Sequence, residues 1–131
     1  MTIRDKKKFA ETAPAGFDGI FDWDFLKPAW PKANMAPMDI DGVIERRGKF
    51  LMFETKSPGV SIPRGQVITL EALVKTGYVT VFVLWGKTVE EIKNFDIWYL
   101  KDGQVVKQPY VGGSDEVVSR AAHWFRMQDD G

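Results

Sequence analysis

Residues 39–56 read DIDGVIERRGKFLMFETK. Two apolar runs flank a charged turn. Met38, Ile40 and Gly42 alternate with Asp39, Asp41 and Val43, a period of two that predicts a strand from Met38. Glu45, Arg46, Arg47, Gly48 and Lys49 form a polar, glycine-containing turn. Phe50, Leu51, Met52 and Phe53 predict a second strand, apolar on both faces as an interior strand is. With the turn centred near Arg47, paired positions sum to 94 or 95, which sets Asp41 beside Phe53 or Glu54. Directly opposed side chains stand about 5 Å apart at Cβ. Glu54 and Lys56 are two apart and share a face, and Asp39 and Asp41 do the same. One face of this hairpin therefore gathers Asp41, Glu54 and Lys56. Two carboxylates that close repel each other, and burial adds a desolvation cost. A divalent cation between them relieves both, so the cluster is read as a candidate metal site, with a partly exposed ion pair of Glu54 and Lys56 at the strand end as the other reading.

The composition narrows the metal. The 131 residues include no cysteine and one histidine, His123. Thiolate and histidine-rich sites are excluded, leaving an oxygen site suited to Mg²⁺ or Mn²⁺. Hydrophobic content of 44% and charged content of 27% are those of a globular protein, and the length fits a single domain over 1–131. Net charge is zero with a pI near 6.6, so contact with a polyanion must come from a local positive surface, not from bulk charge. No apolar run approaches membrane-spanning length, and the polar start MTIRDKKKF is no signal peptide. No membrane association is expected, and the expected location is the cytoplasm.

Around the hairpin the chain reads as a small α/β domain. Residues 1–9, with Arg4, Lys6, Lys7 and Lys8, read as a frayed basic terminus, with a nucleic-acid arm as the other reading. Residues 10–36 mix prolines and glycines with Phe17, Phe21, Trp23, Phe25 and Trp30; turns and one short helix near Asp22 to Lys27 are expected, with the aromatics packed over the core. After a loop at 57–63, Gln66 to Lys75 predicts a helix stopped by Gly77, and Tyr78 to Trp85 a buried strand, giving a crossover between parallel strands. Thr88 is placed to cap a short helix. Phe95 to Leu100 and Gln104 to Lys107 flank Asp102-Gly103, a hairpin signal. Ser114, Asp115 and Glu116 open a last helix to about Met127 with an apolar face at Val117, Val118, Ala121, Ala122 and Phe125.

An aspartate, about a dozen residues and then Glu-x-Lys across a hairpin resembles the PD-(D/E)XK nuclease superfamily. Asp41 and Glu54-Thr55-Lys56 match its core motif, Leu51, Met52 and Phe53 precede the triplet as apolar residues do there, and Gly48-Lys49-Phe50-Leu51 fits the start of its second motif strand. Small members similar to Holliday-junction resolvases and to phage-type VRR-NUC domains also follow the triplet with a loop, a glutamine-led helix and a buried strand. The likeness covers Met38 to Trp85. It implies a restriction-endonuclease-like core, a small mixed central sheet flanked by helices, and a metal-dependent DNA endonuclease of a bacterial or phage-infected cell, selective for junction or branched DNA, working as a homodimer. In that frame Asp41, Glu54 and the Thr55 backbone carbonyl hold Mg²⁺ or Mn²⁺, with Asp39 as a further or alternate ligand. Lys56 orients the attacking water, and Gln66 bonds a ligand or the substrate backbone, or else faces water at the helix start. Arg46, Arg47, Lys49 and Arg64 are candidate phosphate contacts, with a solvated turn as the other reading of the first three. The family's upstream glutamate has no clear counterpart; Glu11, Asp22 and Asp24 are the candidates.

Two other readings stand beside this one. The domain could be nuclease-like but catalytically idle, binding DNA or a protein. Or it could be an unrelated α/β module whose hairpin charges are structural. Carboxylates of Asp41 and Glu54 on opposite faces, or out of mutual reach, would rule the nuclease reading out.

Overall fold

A computed structural model describes residues 21–130. The chain forms two compact units, Met1–Asp39 and Ile40–Gly131.

In the first unit a 3-10 helix spans Trp23–Ala29, started by Asp22, whose carboxylate accepts the Asp24 N–H at 2.9 Å. Pro28 lies inside it and keeps it from becoming a regular α-helix. The helix buries none of its residues. Phe21, Trp23 and Phe25 cluster, with Trp23 and Phe25 stacked and Phe21 tilted against Trp23 and edge-on to Phe25; all three stay exposed, where aromatics packed over the core were expected. Glu11 and the basic residues 1–9 lie outside the described residues.

The second unit is α/β. Strands β1 (Gly42–Arg46), β2 (Lys49–Lys56), β3 (Val79–Trp85), β4 (Asn94–Lys101) and β5 (Gln104–Val111) form one sheet in the order β1-β2-β3-β4-β5. Only β2 and β3 run parallel, joined through helix α1 (Arg64–Lys75); the other neighbours are antiparallel. Helix α2 (Ser114–Asp130) follows β5. Both hairpins close through two residues at positive φ, Arg47 and Gly48 (51° and 79°) and Asp102 and Gly103 (51° and 76°). That geometry matches the twist of the flanking strands. α1 starts two residues before Gln66 and ends where expected, with Gly77 at φ 84° donating its N–H to the Val74 carbonyl. β5 runs on to Val111 through Pro109, which an edge strand tolerates because a proline's missing donor can lie on the unpaired side.

Strand alternation divides the core. On one face Leu51, Phe82, Leu84 and Phe95 pack with Ile92 and with Trp124 of α2. On the other, Glu71 of α1 pairs with Lys107, whose ammonium lies over the Trp98 ring. The registers Met52↔Val81↔Trp98↔Lys107 and Glu54↔Val83↔Asp96 put Glu54 on this α1 face. No helix among the described residues is long and apolar enough to cross a membrane.

Candidate metal centre

The β1–β2 register sums to 95 throughout, from Arg46↔Lys49 to Gly42↔Phe53. Extended by one residue, it opposes Asp41 to Glu54. The predicted strand from Met38 does not form; pairing starts at Gly42. The reason lies in Asp41. A longer β1 would offer the Ile40 carbonyl to the Thr55 N–H. Instead the Asp41 carboxylate accepts that N–H at 2.8 Å and the Thr55 hydroxyl at 3.0 Å, both on Oδ2. The side chain replaces the next rung of the ladder, so the strand ends and its carboxylate sits at the end of β2. Asp39, exposed and in the first unit, is not part of that strand, so alternation does not set it on one face with Asp41.

Glu54 is the one charged residue in the buried class among the described residues, 2% exposed, and its Oε1 has no hydrogen-bond partner. Burial foremost, then the Asp41 carboxylate, push its carboxyl from the ordinary 4.5 up to about 7. Hydrogen bonding with the Asp41 side chain acts in the same direction, and the Lys56 charge and the Asp41 backbone amide oppose it. Those contributions put Asp41 and Lys56 each within electrostatic reach of Glu54, and Lys56 shares the α1 face with Glu54 by alternation. A buried carboxyl oxygen without a partner beside a second carboxylate is a place where a cation would fit. Among the described residues no third His, Cys, Asp or Glu joins them. Two carboxylates suit Mg²⁺, which keeps several of its waters. The Thr55 carbonyl adds a third oxygen: N–H and C=O of one strand residue project to the same side, here the Asp41 side. The donor set fits the ion that the motif implies.

The framework around this end of β2 is held from two directions. Gly86 donates its N–H to the Lys56 carbonyl at 2.7 Å, and Trp85 Nε1 donates to the Val60 carbonyl at 2.7 Å, strapping the 57–63 loop onto the end of β3. The loop leads into α1, whose first turn carries Gln66. That residue is half-buried, and its Oε1, like that of Glu54, is buried without a partner. Arg64 is the exposed first residue of the same turn.

The other three basic candidates are at the far end of the hairpin. From Lys49 to Glu54 the strand advances about 16 Å at about 3.3 Å per residue. Arg46 lies against the Phe125 ring, and Arg46 and Arg47 both pair with Asp129, at 2.6 and 3.3 Å. Lys49 donates to the Gly77 carbonyl and lies over the Tyr78 ring. They stand at a partly exposed turn and are not part of the carboxylate site. Asp129 is 83 residues from Arg46, and no local pattern announces such a pairing. Asp22 and Asp24, the upstream candidates, are engaged within the first unit, Asp24 with Lys27. His123 is exposed on α2, which packs on the sheet face opposite Glu54. Comparison with protein-family models, with curated protein sequences and with solved structures gives no match to this chain.

Proposed function

We propose that this chain is a metal-dependent DNA endonuclease in which Asp41 and Glu54 bind the ion. The observation that carries the reading is Glu54: buried, with an unpartnered oxygen, and beside a second carboxylate, that of Asp41, at the end of an interior strand. A buried acceptor without a partner is costly unless something else satisfies it. Asp41, Glu54 and the Thr55 carbonyl would hold Mg²⁺ or Mn²⁺. Such an ion, when bound, supplies a water of lowered pKa and polarises a phosphoryl oxygen. The protein's own groups do the rest. Lys56 neutralises charge that develops on the phosphoryl oxygens and orients the incoming water. Asp41 is fixed in place by two donors from Thr55. Gln66, with its buried carbonyl oxygen, positions a ligand or the substrate backbone, and the exposed Arg64 contacts a flanking phosphate.

The test is incubation with plasmid, single-stranded, nicked and four-way-junction DNA, with and without Mg²⁺ or Mn²⁺. Cleavage is expected only with the ion, and Glu54→Ala and Lys56→Ala are each expected to lower it at least about 100-fold. Cleavage indifferent to chelator and to both substitutions would refute the mechanism. The same panel reads out preference for junction or branched DNA.

A further inference from the structure

The one contact between the hairpin turn and the last turn of α2 has an unusual composition. Asp129 and Asp130 occupy the negative end of that helix, and no basic residue stands in its last turn. A carboxylate there is opposed by the helix dipole. It is held by two successive arginines of the turn, with Oδ1 of Asp129 accepting from Arg46 Nε at 3.0 Å and Nη2 at 2.6 Å, and pairing with Arg47 Nε at 3.3 Å. Arg46 and Arg47 stay 38% and 63% exposed at their side chains. Two guanidinium groups converging on one oxyanion is the geometry by which arginines grip a phosphate.

We infer that Arg46 and Arg47 form a phosphate-binding site for the DNA backbone that Asp129 occupies from within the chain, so that DNA must displace this carboxylate to engage the turn. The inference rests on the reading of the chain as one that binds DNA. Arg46 lies against Phe125 of α2, on the sheet face opposite Glu54, so the arginines offer the DNA backbone a contact separate from the carboxylate site. Asp129 then acts as a brake on affinity, one that weakens as salt screens the ion pair.

Binding of a fluorescently labelled 25-base-pair duplex, followed by anisotropy in EDTA so that no strand is cut, tests this. Asp129→Asn is expected to tighten binding about 3- to 10-fold at 50 mM NaCl and to steepen the slope of log K against log salt by about one to two. Asp130→Asn, the same loss of charge one residue on, is expected to do much less. Adding Arg46→Gln and Arg47→Gln to Asp129→Asn is expected to abolish the gain. Binding by Asp129→Asn no tighter than by the unaltered chain, an equal gain from Asp130→Asn, a gain that survives loss of both arginines, or no binding by any form would overturn the inference. Should Asp129→Asn fail to fold, the unaltered chain still decides: the arginine Nε–H resonances of Arg46 and Arg47 are expected to shift on saturation with the duplex, and unshifted resonances overturn it. A gain in binding without metal-dependent cleavage would refute the nuclease reading alone, and cleavage with Asp129→Asn neutral in binding would refute this inference alone.

Discussion

Glu54 concentrates the chemistry of the molecule in one side chain. Its carboxyl is raised from 4.5 to about 7 by burial and by Asp41, so the metal-free folded state holds a proton there that the unfolded chain releases. Between about pH 4.5 and 7 the native state binds more protons than the unfolded state, and stability must fall as pH rises through that window. The loss is at most about 3 kcal/mol. Urea melts in EDTA at pH 5, 6, 7 and 8 should show this decline for the unaltered chain and a flatter profile for Glu54→Gln, which is expected to be the more stable of the two at pH 8. A Glu54→Gln chain that melts below the unaltered one at pH 8 would mean that the carboxylate is a structural partner, not a strained ligand. Lys56 opposes the rise at Glu54. Lys56→Met should therefore push the carboxyl higher still, moving the steep part of the same profile toward alkaline pH, while leaving the protein folded.

At the scale of elements, the hairpin shows what a sequence pattern can and cannot convey. Its register follows from a two-residue turn and alternating polarity, and the observed sum of 95 is one of the two values expected. The buried strand after the crossover, the glycine stop of α1 and the Asp102-Gly103 hairpin were legible for the same reason: each is set by local backbone chemistry. The start of β1 was not. Periodicity continues to Met38, but Asp41 spends its carboxylate on the backbone of Thr55 and ends the ladder at Gly42; a side chain standing in for a peptide leaves no trace in a period of two. The burial of Gln66 and the engagement of Arg46 and Arg47 by Asp129 depend on how distant elements pack, which no local spacing encodes. The turn offers its own test. Gly48 sits at φ 79° with open space around its Cα, so Gly48→Ala meets no clash and only backbone strain. It is expected to cost about 1 kcal/mol in a denaturant melt, without changing metal binding at the other end of the hairpin.

Across the folded unit Ile40–Gly131, the sheet separates stability from chemistry. The face under α2 carries the aromatic cluster with Trp124 and a cavity of about 410 Å³ lined by residues including Phe82, Ile97, Tyr110 and His123. The carboxylates are on the opposite face, so this hollow is not the candidate centre. Trp124→Ala is expected to lower stability by about 3 to 5 kcal/mol, and His123→Ala to leave DNA cleavage within about twofold of the unaltered chain, as gel assays would show. Binding of the ion is the claim on which everything else turns. Mn²⁺ titrated into the chain, with free ion followed by electron paramagnetic resonance, reports it without any substrate. One site per chain is expected, lost in Asp41→Ala and in Glu54→Ala and kept in Lys56→Met; equal Mn²⁺ uptake by the unaltered and Glu54→Ala chains would contradict it.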